Sequence, residues 1–394
     1  MIRPALVTLL LISAVGCARI PSGEPGVVPV TEIDLFKGGE GGYAVYRIPS
    51  LVKTNSGAIL AFAEARRAGR SDHGDIDVVM RKSTDGGKTW GAVKTVWDDG
   101  DETCGNPSPV VDAKTGRVVL LSCWNKGSDV EKKIMDGTSS DSRRAFVLTS
   151  DDEGETWSTA RDITKSVKKP DWRWYAIGPC HGIQLPSGRL VMPANHSEHG
   201  DAEHFYRSHI IFSDDSGATW SLGGTVGPKT NESTIAALPN GTLVMNMRSY
   251  EDLNRRAIST SADNGMTWSK IELDQDLIEP RCQASLLAIK WHGKPYYLFS
   301  NPASTKRNTM TVKWSNDEMH TWNPGLLVNP GFSAYSDMVQ VSDSKLALAY
   351  ERDEYARISL LTANLSDLLG APQTTTGAAA ATAKPDPAKP KKEK

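Results

Sequence analysis

The chain has 394 residues, with 45 Lys and Arg against 47 Asp and Glu, giving a formal net charge of -2 with both signs mixed throughout. Such a balance offers no basic face to nucleic acid and disfavours any polyanion-binding role. Length permits one large β domain or two ordinary ones, so the architecture has to be read from pattern.

In chain order, Met1-Ile2-Arg3 precedes an apolar run from Ala5 to Val15 that ends at Gly16-Cys17. Charge, apolar run and small residues in that order predict an export signal over 1–17, and the run is too short for a stable bilayer span. Ala14-Val15-Gly16-Cys17 resembles a bacterial lipobox, which implies cleavage and lipidation at Cys17; ordinary signal cleavage nearby is the alternative. An exported protein is expected either way, as a cell-envelope lipoprotein of the periplasm or outer membrane or as a secreted protein. Contact with a membrane is expected only through a lipid on Cys17. Residues 18–30, rich in Pro and Gly, read as a linker and 31–369 as the folded body. The tail over 370–394 is mostly Thr, Ala, Lys and Pro, too poor in apolar side chains to offset its ordering entropy, and is expected to be disordered. Cys104, Cys123, Cys180 and Cys282 permit three pairings, of which Cys104–Cys123, flanking one predicted hairpin, is the first to test.

The body carries an internal repeat. The pattern S-x-D-x-G-x-T-W runs over Ser83–Trp90, Ser150–Trp157, Ser213–Trp220 and Ser261–Trp268, with a degenerate copy over Ser315–Trp322 in which Met319 stands for Gly. These segments resemble Asp-box repeats, whose polar residues bond a hairpin turn while Gly takes positive φ. Ahead of each copy lies a turn signal: Asn55-Ser56-Gly57, Lys114-Thr115-Gly116, Pro186-Ser187-Gly188, Pro239-Asn240-Gly241 and Trp291-His292-Gly293. Each unit therefore reads strand A, tight turn, strand B, loop, strand C, Asp box, strand D, and a sixth unit without a box turns at Ser342-Asp343-Ser344. The expected fold is all-β, a six-bladed β-propeller of four-stranded antiparallel blades, its last blade closed by Glu32–Phe36. An open β-sandwich is the competing architecture, but gives no reason for two landmarks to recur in the same order.

In such a blade the A–B and C–D turns share one end. A site built from the starts of A strands and the ends of B strands then lies opposite the Asp boxes. Arg47 opens A of unit one, and Arg66 and Asp72 follow its B; Glu232 precedes A of unit four and Arg248 ends its B; Arg307 follows B of unit five; Tyr335 opens A of unit six and Glu351 ends its B. Several arginines facing one pocket call for an anion, and the planar guanidinium grips a carboxylate bidentately. A sugar with a carboxylate on its anomeric carbon would repel a carboxylate nucleophile by about 4 kcal/mol at roughly 4 Å and an effective dielectric near 20. A neutral phenol avoids that repulsion, and Tyr335 is the candidate, with Glu232 as its base because free Tyr titrates near pH ~10. Asp72 is placed to protonate the leaving oxygen and then deprotonate water, although Asp75 and Asp77 lie in the same stretch.

The segments Tyr46-Arg47-Ile48-Pro49, Phe62-Ala63-Glu64-Ala65-Arg66, Gly74-Asp75-Ile76-Asp77, Gly105-Asn106-Pro107-Ser108, His181-Gly182-Ile183-Gln184-Leu185, Asn231-Glu232-Ser233, Asn246-Met247-Arg248-Ser249 and Ala334-Tyr335-Ser336-Asp337, in that order, resemble the bacterial exo-α-sialidases from about Ile33 to Leu361. The resemblance implies a cofactor-free retaining glycosidase acting on terminal α-linked sialic acid of glycoproteins, glycolipids or oligosaccharides, a family whose tyrosine nucleophile departs from the two-carboxylate rule. It implies Arg47, Arg248 and Arg307 as a carboxylate triad with Glu351 orienting Arg47, Tyr335 as nucleophile, Glu232 as its partner, Asp72 as acid/base and Arg66 near the sugar O4. Asn106 stands where relatives carry an acidic residue, and Cys180 replaces an expected glycine. A sialic-acid-binding propeller without turnover, or a transglycosylating relative, shares much of this set. The His-rich stretch Asn195–His204 fits no zinc spacing and reads as a polar loop, so no metal is expected. Trp124, Trp172, Trp174 and Tyr175 are candidates for an N-acetyl pocket or glycan platform, or else for packing between blades.

Overall fold

The structure, a computed structural model, describes residues 30–198 and 206–370. The export signal with Cys17, the linker up to residue 29 and the tail from residue 371 lie outside the described residues. The described chain is built almost wholly of antiparallel strands, and among its residues no helix is long and apolar enough to cross a membrane.

Apolar runs between turn residues become strands whose successive side chains point to opposite faces. In Ile59–Arg66, Ile59, Ala61 and Ala63 pack with Leu35, Leu51 and Val79, while Leu60 and Phe62 pack with Val78, Leu120 and Leu148. Burial on both faces is why the segment reads as a continuous apolar run.

The strands pair in successive antiparallel groups. Val45–Lys53, Ile59–Arg66, Ile76–Ser83 and Lys94–Trp97 form the first; Thr103–Val111, Val118–Asn125, Arg144–Ser150 and Arg161–Asp162 form the second, and a parallel bridge from Ile76 to Thr103 joins the two. The third holds Trp172–Ile177, Leu190–Glu198, Tyr206–Ser213 and Ser221–Val226, with Ile183–Gln184 also on Leu190–Glu198; the fourth holds Thr230–Ala237, Leu243–Ser249, Arg255–Ser261 and Glu272–Ile278. Ser285–Trp291, Lys294–Pro302 and Asn308–Ser315 lead into the 20-residue strand Asn323–Ser342, which pairs backwards as far as Phe332 and forwards with Lys345–Arg352 from Ser333. Arg357–Asn364 follows, and Val30–Lys37 covers its free edge with Glu32 opposite Leu361 and Phe36 opposite Ile358, as the sequence suggested. Hydrophobic clusters fill the spaces between neighbouring groups, and one joins Val339, Ala347 and Ile358 near the C-terminus to Leu51, Ala61 and Val79 near the N-terminus.

All five Asp boxes adopt one geometry, including the degenerate copy. The Ser hydroxyl donates to the Asp carboxylate and accepts from the amide four residues on, and the Thr hydroxyl and amide donate to the same Asp. Met319 holds φ 70° where Gly87 holds 83°, and its amide still reaches Ser315 Oγ at 3.1 Å. Hydrogen bonds from Thr156 and Thr267 hold Asp152 and Asp263 down to about 2. A carboxylate whose pKa is lower in the folded state stabilises the fold above its unfolded value, about 3.9, and that contribution disappears as pH falls through the folded value. Thermal unfolding should therefore shift downward from about pH 4 to about pH 2, and Thr267→Val should make the shift smaller.

The Cys104–Cys123 pairing is not formed: the four described cysteines are buried and free. Cys123 lies opposite Gly105, one residue out of register with Cys104, so the thiols enter different hydrophobic clusters on opposite faces of the sheet. Adding reductant should leave the melting temperature unchanged to within about 1 °C, whereas loss of a native disulfide costs about 2–5 kcal/mol.

Candidate active site

Among the strands whose register slips, four do so between Arg47 and Ser50, Gly105 and Ser108, Thr230 and Ser233, and, midway along the long strand, Ser333 and Ser336. A bulge inserts an unpaired residue and re-aims its side chain. These four deliver Arg47, Asn106, Glu232 and Tyr335 to one cavity of about 190 Å³, whose wall also includes Arg66, Asp72, Arg248 and Arg307. Two placements differ from the sequence reading. Tyr335 lies inside the long strand Asn323–Ser342, just past its change of partner, and Glu232 lies inside Thr230–Ala237 rather than ahead of it. Glu351 sits behind the wall, fully buried.

Glu351 binds the Arg47 guanidinium along one edge at 2.9 and 3.1 Å and accepts from the amides of Ile48 at 2.8 Å and Tyr335 at 3.1 Å. Tyr335 donates its hydroxyl to Glu232 at 2.5 Å, and the other Glu232 oxygen accepts from Arg248 at 2.8 Å. All three expected triad arginines surround this phenol: Arg47 and Arg307 lie 5.2 and 5.5 Å from the ring centre, and Arg248 reaches the hydroxyl at 3.4 Å. Arg307 also meets the Tyr355 hydroxyl at 2.8 Å. Burial, then the Glu232 charge, push the Tyr335 pKa well above 10, against the pull of Arg248 and Arg307. The strand is pinned two residues on, where buried Asp337 accepts from Leu51 N at 2.9 Å and Ser285 Oγ at 2.7 Å and pairs with His181 at 2.7 Å.

Asp72 stands at the mouth, two-thirds exposed, 2.7 Å from Arg66 and 3.6 Å from Arg47. Its partial desolvation is outweighed by Arg66 and Arg47, which lower its pKa below the usual carboxylate value. Asp75 and Asp77 instead pair with Arg67, and Tyr43 donates to Asp77, so of the three only Asp72 lines the cavity.

Elsewhere on the wall, Asn106 accepts from Arg143 at 2.9 Å, and Arg143 lies 4.1 Å over the Trp174 ring. Glu131, Tyr206 and Tyr250 continue this wall; Tyr206 donates to Glu131, and burial raises the Glu131 pKa. Of the aromatic candidates only Trp174 lines the cavity. Trp172 and Tyr175 pack in the core with His196 and His209, and Trp124 bonds Asp99 at 2.6 Å. His196 thus belongs to an aromatic stack, residues 199–205 lie outside the described residues, and among the described residues no cluster suits a metal. Glu64, Glu131, Arg143, Tyr206 and Tyr250 were not singled out from sequence. Glu64 stands in the segment Phe62–Arg66, while Glu131 and Arg143 sit in the long connection from Lys126 to Arg143, whose length after a B strand is the available signal.

A family model described as a BNR repeat-like domain matches residues 57–348. A sialidase of Bacteroides fragilis is 30% identical over 88% of this chain and 67% of its own, and an exo-alpha-sialidase of Arthroderma benhamiae is 32% identical over 80% and 79%. Among solved structures, the Hadza microbial sialidase Hz136 superposes with a TM-score of 0.79 at 31% identity, covering 86% of this chain and 69% of its own. A Trypanosoma rangeli sialidase, solved with 2,3-difluorosialic acid as a covalent intermediate, superposes at 0.72 with 20% identity, over 87% and 60%.

Proposed function

Given that this chain belongs to the sialidase family and is an exo-α-sialidase of the β-propeller class, we propose that it cleaves terminal α-linked sialic acid with retention through a covalent intermediate on Tyr335. The observation that carries this reading is the 2.5 Å hydrogen bond from the Tyr335 hydroxyl to Glu232, set among three arginines. Arg47, Arg248 and Arg307 bind the substrate carboxylate, and Glu351 keeps the Arg47 fork in plane. With its pKa raised, Tyr335 holds no standing phenolate, so its proton passes to Glu232 as the oxygen attacks the anomeric carbon. Asp72 protonates the departing glycosidic oxygen, then takes a proton from the water that cleaves the tyrosyl intermediate. Incubation with a 2,3-difluorosialic acid followed by peptide mapping tests this: the adduct belongs on the peptide bearing Tyr335, and an adduct elsewhere overturns the assignment.

Asp72 must be protonated to act as acid, yet Arg66 and Arg47 favour its ionised form in the free protein. Activity limited by that group falls as pH rises through its pKa. Once a substrate carboxylate neutralises Arg47, the pull on Asp72 weakens and its pKa rises. The basic limb of kcat is therefore expected at higher pH than that of kcat/KM, measured from about pH 4 to 8; coincident limbs would remove Asp72 from the role.

The fold reading extends to six four-stranded blades, supported by five boxes, a sixth turn signal and the closing pairing of Val30–Lys37 with Arg357–Asn364. Export with lipidation at Cys17 is supported by the Ala5–Val15 run and Ala14-Val15-Gly16-Cys17. Fractionation of cells expressing the full chain and Cys17→Ser tests it: release of the variant from membranes is expected.

A further inference from the structure

Arg66 and Glu64 lie on the same face of Ile59–Arg66, and each is almost fully buried. Every nitrogen of the Arg66 guanidinium has a protein partner. Nε and Nη2 donate to one Glu64 oxygen at 3.0 and 2.5 Å, while Nη1 donates to the carbonyls of Arg70 and Ser71 at 2.7 and 2.9 Å and lies 2.7 Å from Asp72. One edge of the fork is thus fixed to a strand, and the other gathers three consecutive residues of the loop ending in Asp72. Glu64 is itself fixed from the next group of strands, where the amide of Asn106, at φ 55°, donates to its other oxygen at 2.7 Å. Gly105 makes that approach possible, since a Cβ there would stand 2.6 Å from the same oxygen.

We infer that Glu64 and Arg66 form a positioning clasp for Asp72, setting the loop so that its carboxyl group meets the glycosidic oxygen. The inference rests on the acid/base reading of Asp72. In the first step Asp72 gives its proton to the glycosidic oxygen as the bond to the anomeric carbon breaks and the Tyr335 oxygen bonds to that carbon. A loop two-thirds exposed at its acidic residue has little packing to hold it, and misplacement of a reacting group by about 1 Å costs on the order of 10²-fold. The backbone contacts to Arg70 and Ser71 are what a bare ion pair with Asp72 lacks.

The leaving group separates this role from a general loss of structure. An alkyl oxygen needs a proton to depart, whereas an aryloxide leaves without one. Glu64→Gln, Arg66→Lys and Asp72→Ala are compared on an α-sialyl lactoside and on an aryl α-sialoside, with folding checked by circular dichroism. Expected for Glu64→Gln and Arg66→Lys is a loss in kcat/KM of about 10²-fold on the lactoside and at least about tenfold less on the aryl substrate, the pattern of lost acid assistance. Equal losses on the two substrates from folded variants, beside a clear split for Asp72→Ala, overturn the clasp alone. If Asp72→Ala itself shows no split, the acid/base reading falls and the clasp with it. Should Glu64→Gln not fold, Arg66→Lys decides, because it keeps the charge and removes the fork.

Discussion

Tyr335→Phe is expected to reduce turnover of a fluorogenic sialoside by on the order of 10³-fold or more, while the protein keeps its fold and its affinity for free sialic acid. The substitution removes one oxygen. The phenyl ring stays beneath Arg47 and Arg307, and its backbone amide keeps Glu351. Glu232 keeps Arg248, so its charge remains paired. What disappears is the proposed nucleophile and the proton donor to Glu232; of the cavity's other phenols, Tyr206 donates to Glu131 instead. The nearest acidic oxygens belong to Glu232, which as an anion meets the repulsion, about 4 kcal/mol, that a substrate carboxylate imposes on a charged nucleophile. Kinetics with product analysis decide it, and a Phe variant within about tenfold of the parent protein would assign the nucleophile elsewhere.

The phase of the repeat was legible because its physics is local. Two turn landmarks per unit fix where each strand reverses, and the reversals decide which strand ends share a face. That sufficed to bring Arg47, Asp72, Glu232, Arg248, Arg307 and Tyr335 to one cavity. The bulges were not legible, because Ile48 at φ 58° and Asn106 at φ 55° carry no glycine to betray them. The change of partner within Asn323–Ser342 has a different origin: Asn329-Pro330-Gly331, a turn signal by composition, stands just ahead of it, yet the chain passes from one partner to the next as one extended strand. The free cysteines show a related limit, since flanking one hairpin says nothing of which face each thiol takes, and a single residue of register separates Cys104 from Cys123. The wall made by Glu131, Arg143 and Tyr206 escaped because it comes from a long connection and an otherwise ordinary strand, where no period marks a side chain as inward.

Glu351→Ala is expected to be the most damaging change outside the cavity, destabilising the protein by about 3–5 kcal/mol, the usual result of stripping a buried charge of its partner. Its carboxylate is fully buried and engages the Arg47 guanidinium on two atoms and the amides of Ile48 and Tyr335. Without it, a guanidinium with only 7% of its side chain exposed is left buried beside two unmet amides, each costing about 1–3 kcal/mol if nothing replaces the bond. At about 1–2 °C per kcal/mol for a folded body of this size, thermal unfolding should fall by roughly 5 °C. The functional consequence differs from that of deleting an arginine. Arg307→Met removes the contact proposed for the substrate carboxylate and is expected chiefly to raise KM. Glu351 spans the bulge that aims Arg47 and the bulge that carries Tyr335, so its loss is expected to free the proposed carboxylate grip and the proposed nucleophile together. In Glu351→Gln, where volume and one acceptor remain, kcat should fall and KM should rise in the same variant, and a change confined to KM would mean that Glu351 serves Arg47 alone.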